Sequence, residues 1–264
     1  MKIVLSIAGS DPSAGAGIQQ DLKVITAMGC YGATVLTAIT SQNTLGVQDV
    51  MPLPASVVAS QLDAVFSDLD VAAVKIGQIP DDQVAEAVAQ HLRRYLANHP
   101  VPVIYDPVMI STSGHDLMSP TCVGSVVQFL FPLSTLITPN LPEAARLTGQ
   151  RVLHDESDIV VAGRTLADRY HSAVLLKGGH SQENALKNRL FLTDGTQLTY
   201  ASSRIDTPNL HGTGCALSSA IASALALGQS LPEAVSTATA FVHEAIRKGR
   251  SLQIGHGDGP IWNF

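Results

Sequence analysis

Six short apolar runs that stop abruptly in small or polar residues restrict the fold of this chain more than any other feature. They are Lys2–Ala8, Ala33–Ile39, Val71–Ile76, Val101–Tyr105, Thr135–Thr138 and Ala173–Leu176. Such runs read as strands covered on both faces, the habit of parallel sheets. They pass directly into Gly9-Ser10-Asp11, Thr40-Ser41-Gln42-Asn43, Gly77-Gln78, Asp106-Pro107, Pro139-Asn140 and Lys177-Gly178-Gly179. Ligands of open parallel sheets bind beyond the carboxyl ends of the strands. A single cleft lined with Asp, Asn, Gln and Lys is therefore expected.

Helical patterns fill the intervals. The clearest is Asp82–Asn98, with Val84, Val88, Leu92 and Tyr95 at helical spacing behind Asp81 and Asp82, a structural helix. Later, Leu190-Phe191-Leu192 and Leu198-Thr199-Tyr200 flank Asp194-Gly195, a hairpin signal that predicts an antiparallel edge. No linker, repeat or low-complexity tract interrupts the alternation, so one α/β domain over residues 1–264 is expected.

With 45% hydrophobic and 14% charged residues among 264, the chain is not disordered. Lys+Arg 16 against Asp+Glu 22 gives a net charge of −6 without a basic run, which argues against a nucleic-acid partner. Polar residues interrupt every apolar stretch before the roughly 18 needed to cross a bilayer. The run after Met1-Lys2 is too short for a signal peptide. Cys30, Cys122 and Cys215 form no C-x-x-C pair, so neither a disulfide framework nor a zinc site is expected and the cytoplasm is the expected compartment.

The most informative segment is His211-Gly212-Thr213-Gly214-Cys215, which opens a small-residue helix beginning Ala216-Leu217-Ser218-Ser219. Unpaired amides and the positive end of a helix dipole make this a phosphate-type anion site. The same dipole should lower the thiol pKa of Cys215 and fit it as a proton acceptor. The alternative is a tight turn beside a buried, inert cysteine. The first loop, Gly9 to Gly17, also joins a strand to a helix, but Gln20 stands where a third glycine would complete a dinucleotide fingerprint.

Asp21 shares the buried face of Ile18, Leu22 and Ile25, where a carboxylate needs a partner. It reads either as a ligand contact or as an acid complementing the helix dipole. Asp106, Asn140, Glu143 and Lys177 form a second set at successive strand ends. Its oxygens suit magnesium with bound phosphates, and its lysine suits phosphoryl transfer. Singly, these residues also read as a turn former, a helix-start acid and a solvated charge. The nine histidines show no metal spacing; His243 is expected on an exposed helix face, and His211 and His256 read as turn residues without a role.

Several ordered blocks carry a resemblance: Ile7-Ala8-Gly9-Ser10-Asp11-Pro12-Ser13-Ala14-Gly15-Ala16-Gly17-Ile18-Gln19-Gln20-Asp21, Thr37-Ala38-Ile39-Thr40-Ser41-Gln42-Asn43, Val74-Lys75-Ile76-Gly77, Asp106-Pro107-Val108-Met109, Thr138-Pro139-Asn140-Leu141-Pro142-Glu143, Leu176-Lys177-Gly178-Gly179-His180, His211-Gly212-Thr213-Gly214-Cys215 and Gly255-His256-Gly257-Asp258-Gly259-Pro260. Together they resemble the hydroxymethylpyrimidine and phosphomethylpyrimidine kinases of thiamine biosynthesis, within the ribokinase-like superfamily, along the whole chain. The resemblance implies a three-layer αβα fold with a mostly parallel central sheet. It implies transfer of the γ-phosphoryl of ATP to a hydroxymethylpyrimidine and then to its monophosphate.

By the same resemblance Gln42 binds the aminopyrimidine, with Gly9, Asp21 and Val108 around the ring. Asn140 and Lys177 contact ATP, Asp106 and Glu143 organise Mg²⁺, and Gly212, Thr213 and Gly214 supply the anion hole. Cys215 stands where sugar kinases carry an aspartate base. Gln78 replaces a common methionine and adds an amide to the ring pocket, and Thr112 replaces a common lysine in a flap over residues 109–118 that is expected to close on substrate. A pyridoxal or pyridoxine kinase is the alternative within the superfamily, and a non-catalytic pyrimidine sensor the alternative outside it. The resemblance admits a homodimer.

Overall fold

The computed structural model describes residues 1–110, 114, 117–119, 121–153, 155–178 and 185–264. Ser111, Thr112, Ser113 and His115 of the expected flap, and Gly179 and His180 after Lys177, lie outside the described residues.

Among the described residues, nine strands form one sheet. They are β1 Ile3–Ser10, β2 Tyr31–Asn43, β3 Gly46–Pro52, β4 Val71–Ile76, β5 Val103–Tyr105, β6 Leu136–Ile137, β7 Ala173–Leu176, β8 Ala185–Phe191 and β9 Gln197–Ser203. Their order across the sheet is β3-β2-β1-β4-β5-β6-β7-β8-β9. The six strands from β2 to β7 in that order run parallel. β3 pairs antiparallel at one edge, and the β8–β9 hairpin closes the other. All six apolar runs are strands, and the hairpin around Asp194-Gly195 is present. β3 has no counterpart in the sequence reading.

Alternating side chains send each strand's residues to two cores. Val4, Ala73, Ile104, Leu136 and Leu175 pack beneath α1 Gly17–Ala27, α7 Thr213–Ala226 and α8 Leu231–Gly249. Leu5, Val74, Tyr105, Ile137 and Val174 face the opposite layer. That layer comprises α2 Ala55–Asp68, α3 Asp82–Leu96, α4 Cys122–Phe129, α5 Leu141–Thr148 and α6 Glu156–Tyr170. The result is the three-layer α/β sandwich.

α3 shows how local chemistry sets an element. Asp81 caps it by accepting the Val84 amide at 2.9 Å, a contact typically worth about 1 kcal/mol. Val84, Val88, Leu92 and Tyr95 are buried, each adding roughly 1.5–3 kcal/mol of apolar burial. No helix among the described residues is long and apolar enough to cross a membrane.

Tyr105 is fully buried, packed edge-on to Phe131 with ring centroids 5.5 Å apart. Its hydroxyl has no hydrogen-bond partner among the described residues. A buried hydroxyl left unpaired costs about 1–3 kcal/mol, so Tyr105→Phe is expected to stabilise the protein by about 1 kcal/mol. A lower urea midpoint for the variant would show that the hydroxyl is satisfied in solution.

Candidate active site

The site begins with a polar plug in an otherwise apolar helix–sheet interface. Ser6 on β1 and Lys75 on β4 are register partners, both fully buried beneath α1 and α7. The Lys75 ammonium lies 2.9 and 2.7 Å from the two carboxylate oxygens of Asp21 on α1. Ser6 and Ser219 donate to the same carboxylate at 2.6 and 2.8 Å. Burial would pull the Lys75 ammonium down, but Asp21 and the other negative groups nearby hold it above the ordinary lysine value.

This corrects two expectations for Asp21. It is neither a first-turn dipole complement nor a contact of the ligand ring, because both oxygens are saturated by protein donors at zero exposure. Lys75 was the missing partner. A lysine inside a run that is otherwise Val, Ala and Ile was the available signal.

Above the plug the two glycine loops meet. Asp11 accepts from the Ser13 amide and hydroxyl and the Ala16 amide. His211 Nε2 lies 2.9 Å from Asp11 and 3.2 Å from Gln42 Nε2. Burial pushes the Asp11 carboxyl up, but the bonds from His211, Ser13 and Ala16 together outweigh it and leave it below the usual value. His211 is thus a buried tie between the first loop and the end of β2, a role the sequence reading did not assign. Gly9 lies against Gln78: a Cβ at Gly9 would fall 2.0 Å from Gln78 Oε1. Gln78 Nε2 donates to the Leu117 carbonyl at 3.1 Å, and Val108 is half-buried.

Asp106 and Lys177 close the other end. Their ion pair spans 2.6 Å, with Thr138 donating to Asp106 at 3.1 Å. Gly214 covers the pair: a Cβ there would stand 3.4 Å from both Asp106 Oδ2 and Lys177 Nζ. Asn140 lies beside Lys177 where the β6–β7 ladder extends. It forms a capping box with Glu143, Oδ1 accepting from the Glu143 amide at 2.8 Å and Glu143 accepting from the Asn140 amide at 2.7 Å. Burial pushes the Glu143 carboxyl up to about 7, Lys177 pulls against it and Asp106 adds to it.

Cys215 requires a second correction. Although it sits in the first turn of α7, burial pushes its thiol up to about 11. Lys75 and the Gly17 amide pull the other way, but Asp21 and Asp106 push with burial. Desolvation outweighs the helix dipole here, so the thiol is protonated at neutral pH.

A cavity of about 170 Å³ shares Lys177, Thr213 and Gly214 with this polar cluster. Its other walls include Leu186, Leu210, Leu217, Val242 and Ile246. His243 also lines it, half-buried and 3.1 Å from the Ser203 hydroxyl, where the sequence reading expected an exposed residue. Apart from the hairpin itself, no sequence signal pointed to this apolar chamber.

Removing one partner of a buried ion pair strands the other charge, at a cost of roughly 3–5 kcal/mol. Lys75→Met is therefore expected to lose that much stability in urea denaturation, and Lys75→Met/Asp21→Leu to regain most of it. Equal losses in the two variants would show that the ion pair is not the reason.

Along nearly its whole length the chain is similar to known proteins. A family model described as phosphomethylpyrimidine kinase matches residues 11–262. The hydroxymethylpyrimidine/phosphomethylpyrimidine kinase of Rhizobium meliloti is 47% identical over 262 residues, 99% of this chain and 97% of that protein. The crystal structure of phosphomethylpyrimidine kinase from Clostridium difficile 630 has a TM-score of 0.81 at 39% identity, covering 93% of this chain and 100% of its own. The ADP complex of Bacillus subtilis pyridoxal kinase has a TM-score of 0.89 at 32% identity, covering 100% and 97%. With a glycine loop set over an Asp–Lys pair and likeness spanning nearly its full length, this chain belongs to the phosphomethylpyrimidine kinase family.

Proposed function

We propose that this protein uses ATP to phosphorylate 4-amino-5-hydroxymethyl-2-methylpyrimidine, and then phosphorylates that monophosphate to the diphosphate, in thiamine biosynthesis in the cytoplasm. The observation that carries the reading is Gly214 set over the Asp106–Lys177 pair at the start of α7. It lies where an apolar chamber meets a polar cluster. The chamber suits the adenine of ATP, and Lys177 with the first α7 amides suits its phosphates. Asn140 engages Oδ1 in its cap, which leaves the amide NH₂ for a phosphate oxygen. The pyrimidine is assigned to Gln42, Gly9, Gln78 and Val108, with Asp21 behind them as a positioning residue.

Asp106 and Glu143 fit a magnesium ion. Two buried carboxylates face one lysine, and the excess negative charge helps push Glu143 up to about 7. Mg²⁺ is bound by one or two carboxylates together with substrate phosphates, and no cluster of three protein ligands stands ready among the described residues. When bound with ATP it would neutralise charge on the phosphate oxygens.

In the first transfer the hydroxymethyl oxygen attacks the γ-phosphorus. The bond to the β,γ-bridging oxygen breaks, and ADP leaves with that electron pair. Cys215 Sγ, when ionised, accepts the hydroxyl proton. In the second transfer the acceptor is a phosphate oxygen, already an anion near neutral pH, and no proton has to be removed. Cys215 is therefore needed for the first step and dispensable for the second.

Because the thiol ionises near 11, its thiolate fraction grows about tenfold per pH unit below that value. The first-step rate is expected to rise from pH 7 to 9. Cys215→Ala should flatten that profile and slow the first step roughly 10²–10⁴-fold, while changing the second by less than about tenfold. A flat wild-type profile, or equal losses in both steps, would remove Cys215 as the base.

Product masses after incubation with Mg-ATP and, separately, the hydroxymethylpyrimidine, its monophosphate and pyridoxal test the activity itself. Pyrimidine diphosphate is expected. Preferential pyridoxal phosphate would favour the pyridoxal kinase reading that the Bacillus subtilis likeness motivates, and no product would favour a non-catalytic sensor.

A further inference from the structure

Gln20, the residue that spoils a dinucleotide fingerprint, takes no part in the chemistry above, yet it is fully buried on α1. Its Nε2 donates to Asn263 Oδ1 at 3.0 Å, and its Oε1 accepts from Asn263 Nδ2 at 3.0 Å. Two amides separated by 243 positions in sequence thus close on each other.

The segment bearing Asn263 is a strap across the molecule. Ile261 and Asn263 face inward, while Trp262 and Phe264 are exposed. The Trp262 amide donates to Ala245 on α8, and the Gly259 carbonyl accepts from the His211 amide, each at 3.1 Å. Gly259 packs on Asn209, whose Nδ2 donates to Gly249 and Leu252 at 2.8 Å. One end of the strap therefore grips the glycine loop before α7, and the other grips Gln20.

The stem of Gln20 lies close beside the same loop. Gly212 adopts φ +83°, and a Cβ there would stand 1.8 Å from the Gly15 carbonyl and 3.3 Å from Gln20 Cγ. Gly212 thus rests against a wall that the Gln20 methylene helps to form. A free glutamine samples many rotamers; one whose amide is bonded at both ends to a single partner keeps one.

We propose that Asn263 is a positioning residue for phosphoryl transfer. Through the reciprocal amide pair it holds the Gln20 stem against Gly212 and so sets where the Gly212–Cys215 amides point. The inference rests on the reading of that loop as the anion site.

Asn263→Ala is expected to lower kcat of the first transfer about tenfold or more, as small misplacements of a catalytic group do. KM for the pyrimidine should change by less than about twofold, and hydrogen exchange in a peptide spanning residues 209–217 should quicken. Gln20→Met/Asn263→Leu replaces both amides with apolar side chains of similar shape, which keeps the burial and removes the direction. Its Tm should return toward wild type while kcat stays low and loop exchange stays fast.

Recovery of kcat and slow exchange along with Tm in the double variant would overturn the proposal, as would a loss of Tm alone in Asn263→Ala. If Asn263→Ala does not fold, the double variant carries the decision. If the wild-type protein phosphorylates none of the pyrimidines, the kinase reading fails by itself, and the exchange of residues 209–217 still decides the role of Asn263.

Discussion

Both glycine loops stand on one buried charge pair. Lys75 and Asp21 are enclosed at zero exposure, where an unpartnered charge would cost several kcal/mol. The pair and its serine donors draw on β4, α1, β1 and α7, so these four elements have one arrangement in which every charge and hydroxyl is satisfied. The loop from Asp11 to Gly17 leads into α1, and the loop from His211 to Cys215 leads into α7.

From that base the parallel sheet does the rest. β5, β6 and β7 run side by side, so Asp106, Thr138 and Lys177 emerge next to one another at their carboxyl ends. The first turn of α7 at Gly214 lies directly over the Asp106–Lys177 pair. Burial strengthens every charge interaction there, and it also sets the state of the groups. It pushes Cys215 to about 11 and Glu143 to about 7. The site is thus built with a protonated thiol and a carboxyl that burial raises well above its ordinary value.

Much of this was legible because the buried strands are uninterrupted apolar runs. Val71–Ile76 and Ala173–Leu176 begin and end where the sequence pattern does. β3 was not legible: Gly46–Pro52 is an edge strand, largely exposed, with Gln, Asp and Pro among its residues, and such a strand needs no apolar face. β2 runs on to Asn43, beyond the apolar pattern, because its end pairs with β3 outside the core. Asp106, Asn140, Glu143 and Lys177 could be picked out since each follows a strand. The ties of Asp11 to His211 and of Gln20 to Asn263 bridge 200 and 243 positions, and neither has a local pattern.

By itself the sequence determined the αβα layering, the end of the sheet where the polar residues gather and which residue types they are, because periodicity and strand termini are local properties. It also established that Asp21 needed a partner. Only the tertiary structure decided that the partner is Lys75, that His211 is a buried tie and that the Cys215 thiol is held protonated. Those outcomes depend on which helices stack over which strands and on how much water that stacking removes, and no local pattern encodes either.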